Sequence, residues 1–394
     1  MRKICLALFA ALTTIACTEQ APLNSYDEQL ADLQQQYKEF HAEAPRFFLF
    51  GMGNREKFIY KDYQLINIDN DSIVFQAQDA VSDSISPSDY TVSIETRNGT
   101  ITITEDEESV WLIQGDRRTN LSEKQCSLNL PSFQNFKYGK VLRVLHHELL
   151  FNIRNSRIFP NILVYKEPFY RDAFMAALCL EKTNNVHLLT SWITHIDSIY
   201  DMQNREPEAD NLGELLYMLS FIPKDSNTVL RRQLQQEIKR QTVKQDALQF
   251  IMGHTDGADN AEYQTQILKL AVKKNALDDS FTNAPSDQAG AYFDLCWFTQ
   301  GNAHRRSLYQ LYKDFRFNFL DSPFPYLQWA RAHYYDNHQA PFNHQRYPLS
   351  WEKRGGSAHF EGMRIISEKA ADERICYPHA WTAAELFLKL YDEP

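Results

Sequence analysis

The hydrophobic period of the chain changes near Gly139, and this change limits the folds that are open to it. Between about Arg46 and Gly115 apolar and polar residues alternate, as in YTVSIETRNGTITITE. A period of two is typical of half-buried strands, and Asn98-Gly99 between two such runs predicts a tight hairpin turn. From Gly139 onward the apolar residues recur at helical spacing. The sequence therefore predicts a small antiparallel β unit followed by a mainly α-helical region.

The helical region contains about eleven amphipathic segments joined by short links, which predicts antiparallel neighbours. They include residues 228–241, 261–274 and 380–391 and four segments between residues 289 and 368. Segments that are apolar nearly all round alternate with segments that carry a broad charged face, such as TVLRRQLQQEIKRQ. Buried and half-exposed helices in alternation indicate an inner and an outer ring. A closed (α/α) toroid of helical hairpins is thus favoured over an open superhelical array. A polar helix from about Ser25 to His41 is expected before the β unit.

The first residues have the features of a targeting segment. Arg2 and Lys3 precede a short apolar stretch that ends in TIAC, with the cysteine at position 17. This ending resembles a bacterial lipobox, which implies that Cys17 is acylated, for example with palmitate. An ordinary secretory signal is the alternative. Thr18 in place of an aspartate resembles the signal for outer-membrane retention, so we expect a lipid-anchored protein of the bacterial cell envelope, facing the periplasm or the exterior.

These patterns divide the chain into four parts. We expect a lipoprotein signal peptide at residues 1–16, a tether and N-terminal helix at 17–44, a β domain at 45–130, and a catalytic α/α-toroid domain at 138–394. Removal of Arg2 and Lys3 changes the formal charge from -10 to -12. An acidic chain without basic runs is not expected to bind nucleic acid.

The sequence contains no motif for a metal ion or an organic cofactor, so neither is predicted. His146-His147-Glu148 lacks the HExxH spacing, and no GxSxG elbow, Walker loop or dinucleotide fingerprint occurs. Four widely spaced cysteines follow Cys17, and their spacing matches no zinc pattern. They are Cys126, Cys179, Cys296 and Cys376.

Two segments at opposite ends of the helical region carry a family resemblance. The stretch FYRDA at 169–173 and the closing YPHAWTAAELFLKLY at 377–391 resemble the first and last helical motifs of six-hairpin α/α-toroid glycosidases of the glucoamylase-like group. The likeness covers about Tyr138 to Pro394 and identifies a distant branch. It implies that loops before the inner helices meet at one mouth. It also implies hydrolysis by two carboxylates, usually with inversion, which places them about 6.5 to 9.5 Å apart.

Arg171 and Asp172 are the first candidate site residues. They form either a local ion pair, in which the charge of Asp172 also stabilises the positive N-terminal end of the helix, or a substrate clamp. The resemblance implies the clamp, with Arg171 donating to sugar hydroxyls, Asp172 accepting from them and Tyr170 beside them.

Asp210 and Asn211 form the second candidate group. Either is a good N-cap, yet two such residues in succession behind Glu206 and Glu208 exceed what one cap needs. Partial burial and nearby carboxylates raise the pKa of an acid. Asp210 is therefore the predicted general acid, with Asp172 in reserve and Asn211 as a substrate contact.

The loop RYPLSWEKRGGSAHFEG, residues 346–362, supplies the third group. Trp351 stands beside Glu352 in this loop, which suits stacking on a sugar ring next to a catalytic carboxylate. Glu352 is the predicted general base, because such toroids usually supply the base from a late loop. The alternative is a loop anchored by Trp351, with Glu352 paired to Lys353 or Arg354. Further substrate contacts are predicted at Tyr263, His379 and Trp381, although the last two also suit core packing.

Three functions remain open at this point. The leading hypothesis is a glycoside hydrolase that acts on an oligo- or polysaccharide outside the cytoplasm, with carbohydrate and the membrane, through its lipid, as partners. The runner-up is a polysaccharide lyase, in which a Tyr or His removes a proton and Arg171 neutralises a uronate. Its candidate bases are Tyr263, Tyr347, His333 and His379. The third is a lipoprotein that binds glycans without catalysis.

Overall fold

Two antiparallel sheets form much of the N-terminal part of the protein in the computed structural model, which describes residues 23–36, 38–40, 46–162, 165–277, 279–290, 339–343, 346–350 and 377–392. The four-stranded sheet runs, in spatial and chain order, through β2 (Phe48–Phe50), β3 (Phe58–Lys61), β4 (Gln64–Asn67) and β5 (Ile73–Gln76). The five-stranded sheet contains β6 (Ala80–Ser86), β7 (Thr91–Thr96), β8 (Gly99–Glu105), β9 (Val110–Gln114) and β10 (Arg117–Asn120), again as sequential neighbours.

The predicted hairpin at Asn98-Gly99 is confirmed. Strands β7 and β8 pair antiparallel with Thr96 opposite Gly99, so the turn falls on Arg97 and Asn98. Gly99 has a φ of 128°, a conformation that residues with a side chain rarely adopt. Alternation along these strands places Val92, Ile94 and Ile103 in the core, as a period of two requires.

A buried ion pair connects the two sheets. Arg55, in the turn between β2 and β3, donates through Nη1 to Glu105 Oε1 at 2.9 Å, and both side chains are fully buried. Glu105 also accepts the N–H groups of Gly51 and Met52 at 2.8 and 2.7 Å. A buried charge without partners is costly, and these contacts satisfy Glu105 while they fix the turn against β8.

The helix α1 (Tyr26–Gln36) is shorter than the predicted span of Ser25 to His41. A strand, β1 (Lys38–Phe40), follows it and pairs in parallel with β17 (Gln339–Asn343). Gln29 connects α1 to the helical part, since its Oε1 accepts the N–H groups of Lys140 and Val141 at 2.8 and 3.3 Å. These N–H groups lie in the first turn of the next helix, where no intrahelical acceptor exists.

Five of the seven remaining described helices form a packed row that holds the candidate site. The seven are α2 (Gly139–Phe151), α3 (Tyr170–Lys182), α4 (His187–His195), α5 (Asp210–Met218), α6 (Thr228–Gln241), α7 (Ala261–Lys274) and α8 (Ala380–Tyr391). The last helix, α8, packs between α2 and α3, α3 packs on α5, and α5 packs on α7. The spans of α6, α7 and α8 coincide with segments predicted from their helical period.

Gly213 sets the distance between α5 and α7. A Cβ at this position would lie 2.6 Å from the backbone nitrogen of Leu268 and 2.8 Å from a methyl group of Ile267. Only glycine allows the two backbones to approach this closely. The close contact brings the N-terminal ends of the two helices together.

The prediction of a mainly α-helical toroid is wrong, and the glycosidase-toroid resemblance fails with it. The protein has a mixed α/β fold, and short antiparallel pairs interrupt the helical region. These pairs are β11 (Ile153–Arg154) with β12 (Arg157–Ile158), β13 (Thr242–Gln245) with β14 (Leu248–Ile251), and β15 (His254–Thr255) with β16 (Ala258–Asp259). Strands of two to four residues are too short to show a hydrophobic period, so the sequence pattern did not predict them.

Four further helices were predicted between residues 289 and 368, and they fall mainly outside the described residues. Among the helices that the structure does describe, none is both long and apolar enough to cross a membrane.

Candidate functional site

Arg171 stands at the centre of a buried cluster of acids. It lies in the first turn of α3 and its side chain is 6% exposed. Its Nε donates to Asp210 Oδ2 at 2.9 Å, Nη1 donates to Asp256 Oδ2 at 2.7 Å, and Nη2 donates to Glu208 Oε2 at 3.1 Å. Asp210 begins α5, Glu208 lies two residues before it, and Asp256 lies in the turn between β15 and β16. Two separate segments thus deliver three carboxylates to one guanidinium.

The charges of this cluster do not balance if every acid is ionised. Among the described residues one guanidinium faces three carboxylates, and a buried net negative charge is expensive. Burial raises the pKa of Glu208 to about 7; Arg171 opposes this rise, and Asp210 and Asp256 add to it. Burial thus favours the protonated form of Glu208, whereas the three N–H groups that donate to it, from Arg171, Asn204 and Asp256, favour the ionised form.

The cluster lies one layer below the surface. Asn204 is exposed, and its Nδ2 donates to both Glu208 Oε2 at 3.0 Å and Asp256 Oδ1 at 2.8 Å. The side chain of Asp256 is 21% exposed, against 1% for Glu208. The backbone N–H of Asp256 donates to the second oxygen of Glu208 at 2.5 Å. Access to Glu208 is therefore controlled by Asn204 and Asp256.

A second row of hydrogen bonds supports the cluster from behind. Asp201 accepts the backbone N–H of Tyr170 at 2.7 Å, and its own N–H donates to Asn211 Oδ1 at 3.1 Å. Asn211 in turn donates to Glu214 Oε2 at 3.1 Å. Burial raises the pKa of Asp201, and it raises the pKa of Glu214 well above its ordinary value. Asn211 thus holds the start of α5 against the start of α3.

Asp172 faces away from this cluster and towards α8. Its Oδ1 lies 4.0 Å from Nε2 of His379, and both side chains are nearly buried. Burial lowers the pKa of His379 to about 3, so the imidazole is neutral at pH 7 and the contact is not a charged pair. Trp381, two residues further along, is 1% exposed. The starts of α3 and α8 therefore lie side by side, and the start of α3 also contacts the start of α5 through Arg171 and Asp210.

The predicted site residues fall into three groups. Arg171, Asp210, Tyr170 and Asn211 belong to one connected network, and Asp172 with His379 lies on its flank. Tyr263 is fully buried on α7, whose packing on α5 keeps it near the network. Glu352, Trp351 and Cys17 lie outside the described residues.

Sequence reasoning missed two residues of the cluster, Glu208 and Asp256. Glu208 stood in the segment EADN but was treated only as a neighbour of Asp210. Asp256 belongs to the turn TDGA, where its φ is 50°, and such residues are ordinarily read as turn formers. Its contact with Arg171 spans 85 residues, so no local signal marks it.

Within the described part of the chain, no group of three or more His, Cys, Asp or Glu side chains has the arrangement of a metal site. A search for relatives adds no further constraint: no protein-family model, no curated protein and no solved structure matches this chain.

Proposed function

We propose that this protein is a glycoside hydrolase that acts on an oligo- or polysaccharide, with Glu208 as the proton donor. The observation that carries the proposal is the buried Glu208 carboxyl group, which is 1% exposed and shares Arg171 with Asp210 and Asp256; burial raises its pKa to about 7. Cleavage of a glycosidic bond needs one protonated carboxyl group to protonate the leaving oxygen. An acid whose pKa lies near the working pH serves best in that role.

The structure leads us to move the role of acid from Asp210 to Glu208. Asp210 is fully buried, and its Oδ2 is engaged by Arg171 Nε at 2.9 Å. A guanidinium that donates directly to a carboxylate stabilises its charge, and Arg171 does so for Asp210 at 2.9 Å and for Glu208 at 3.1 Å. Glu208 lies closer to the surface, directly beneath Asn204 and Asp256.

The second carboxylate must come from the opposite side of the bound sugar. Glu208 and Asp256 share Arg171 and Asn204 as partners, so no sugar ring fits between them. An inverting enzyme leaves about 6.5 to 9.5 Å between its two carboxyl groups for the attacking water. In this proposal Glu352 is the general base because it stands beside Trp351 in one loop of the sequence, no longer because of the toroid resemblance. Asp172, predicted above as the reserve acid, is here the alternative base.

The position of Arg171 argues against the lyase hypothesis. A lyase of this kind would use a cation to neutralise the carboxylate of a uronate. Arg171 already donates to Asp210, Asp256 and Glu208, and a further anion would enter a cluster with an excess of negative charge. We assign to Arg171 the positioning of these acids rather than the grip on a substrate.

The proposal also includes a location for the protein at the outer membrane. Acylation of Cys17 would hold the protein at the outer membrane, where it meets polysaccharide outside the cytoplasm. The carbohydrate partner and the lipid tether are both parts of this proposal and are tested separately below.

The test is to incubate the purified protein, without its first 17 residues, with a panel of neutral, amino and acidic polysaccharides. Release of new reducing ends without new absorbance in the ultraviolet is the expected result. Products that absorb there contain an unsaturated sugar and would establish a lyase instead. Binding without any cleavage across the panel would favour the glycan-binding alternative and contradict the proposal.

A further inference from the structure

A surface groove lies directly beside the acid cluster. It has a volume of about 480 Å³ and is bordered by α4, the segment 196–203 and the start of α3. Sites for small molecules commonly enclose about 300 to 1,000 Å³, so the groove is large enough for a short saccharide. None of the predicted site residues except Tyr170 belongs to its lining.

Three aromatic side chains line this groove, and hydrogen bonds hold two of them in place. The rings of Tyr170 and Trp192 are 6.3 Å apart and inclined at 58°. Tyr170 donates its hydroxyl to the carbonyl oxygen of Ser198 at 2.8 Å, and Tyr200 donates to Glu237 at 2.5 Å. Trp192 is half-buried. Aromatic rings with one apolar face and a fixed orientation form good platforms for flat, partly apolar ligands.

The charged groups of the groove give it an acidic character. Asp197 is exposed and Asp201 is half-buried in the lining. The cation Arg157 lies 3.1 Å from Glu167, which also borders the groove. The described lining also contains His195, so three carboxylates, those of Glu167, Asp197 and Asp201, face one permanent cation, Arg157, and one imidazole. The negative potential of these carboxylates disfavours ligands that carry carboxylate or sulfate groups.

The groove and the acid cluster are physically connected. Asp201 lines the groove, and its N–H donates to Asn211, the second residue of α5. Tyr170 also lines the groove and directly precedes Arg171. A saccharide in the groove would thus contact Asp201 and Tyr170, which are bonded or adjacent in sequence to residues of the network around Arg171.

We propose that this groove is a subsite for a saccharide that carries no carboxylate or sulfate group, with Trp192 as its stacking platform. This inference rests on the proposed hydrolase and names the class of its substrate. Uncharged and amino sugars offer hydroxyl groups and an apolar ring face to the aromatic wall. Uronates would meet Asp197 and Asp201.

The experiment measures binding in the Glu208→Gln variant, in which turnover is blocked. Isothermal titrations use maltohexaose, cellohexaose, chitohexaose and hexagalacturonate at equal concentrations. We expect binding of at least one of the first three and weaker binding of hexagalacturonate. Trp192→Ala should lower the affinity for the uncharged ligand about tenfold, as loss of one stacking platform does. Trp111→Ala, on β9, should leave that affinity unchanged.

A charge variant keeps the test independent of folding, because Trp192 also packs on the core. Asp197 is exposed, so Asp197→Lys should fold normally and improve the relative affinity for hexagalacturonate several-fold. The matched control is Asp225→Lys, which alters an exposed acid outside the groove. The inference would be overturned by any of three results. The first is that neither Trp192→Ala nor Asp197→Lys changes the affinities. The second is that the parent binds hexagalacturonate more tightly than the uncharged ligands, and the third is that it binds no uncharged hexasaccharide. If the unmodified protein cleaves its substrate and Trp192→Ala leaves KM unchanged, the groove is not a subsite. The role of Glu208 would be unaffected by that result.

Discussion

Nη2 of Arg171 and Oε2 of Glu208 lie 3.1 Å apart, with side chains that are only 6% and 1% exposed. A guanidinium at this distance would ordinarily keep a glutamate ionised. Here burial and two further carboxylates outweigh it, and the pKa of Glu208 rises to about 7. The pair therefore changes its charge near physiological pH, and this property underlies the first two predictions.

Glu208→Gln should lower kcat/KM by about 10²- to 10⁴-fold, the usual loss for a positioned acid. In the unmodified protein kcat/KM should fall as pH rises through about 7, because Glu208 then loses the proton that it must donate. The variant should lose this alkaline limb. Glu206→Gln, two residues away and half-buried, is the matched control and should retain full activity. Equal activity in the two variants would remove Glu208 from the mechanism.

Arg171→Met should lower the free energy of unfolding by about 3 to 5 kcal/mol, because it leaves buried carboxylates without their cation. The deficit should be smaller at pH 5 than at pH 7.5, since the carboxylates can then take up protons. Urea denaturation at both pH values measures this difference. Arg157→Met, which breaks an ion pair with side chains 45% and 53% exposed, should cost no more than about 1 kcal/mol. A deficit in Arg171→Met that does not depend on pH would contradict the charge argument.

The sequence predicted local structure well and long-range pairing poorly. The spans of α6, α7 and α8 followed from their helical period, and the Asn98-Gly99 turn followed from its dipeptide. The predicted toroid was wrong, because the strands β13 to β16, which interrupt the helical region, are too short to show a hydrophobic period. Within the site, Arg171 and Asp210 were selected for their positions at helix starts. Asp256 could not be selected, since only the folded chain brings it to Arg171.

Glu148→Gln should destabilise the protein and change its pH dependence. Glu148 on α2 accepts the N–H groups of Leu349 and Ser350 at 2.6 and 2.8 Å, together with the Ser350 hydroxyl. An amide cannot accept all three bonds, so we expect a loss of about 1 to 3 kcal/mol. Burial raises the pKa of Glu148 from 4.5 to about 7. Its protonation therefore contributes stability that is fully present below pH 4.5 and lost as pH rises through 7.

The variant should lack this part of the slope between pH 4.5 and 7. Thermal or urea unfolding across that window measures the difference between the two proteins. Glu95→Gln, at an exposed position on β7, should reproduce the slope of the unmodified protein. If Glu148→Gln did so as well, the assigned protonation of Glu148 would be wrong.

Cys17→Ser should release the protein from the membrane. Acylation at Cys17 is predicted from the TIAC ending of the apolar N-terminal stretch, and a thioether to lipid cannot form on serine. Fractionation of expressing cells, followed by intact-mass analysis of the membrane-bound form, should show a lipid adduct on a chain that begins at residue 17. Cys126→Ser, at a buried position in the β region, should leave the distribution unchanged. A soluble, unmodified mature form of the parent protein would show that residues 1–16 are an ordinary secretory signal.

Glu352→Gln tests the second carboxylate of the proposed mechanism. Glu352 is the predicted general base, so its loss should reduce kcat by about 10²- to 10⁴-fold and leave substrate affinity nearly unchanged. A base deprotonates water only in its ionised form, so the parent should lose activity as the pH falls through the pKa of this group, and the variant should not. Because acid and base act in one step, Glu208→Gln/Glu352→Gln should be much less impaired than the product of the single losses. Multiplicative losses in the double variant would mean that the two residues act independently, and full activity in Glu352→Gln would leave Asp172 as the candidate base.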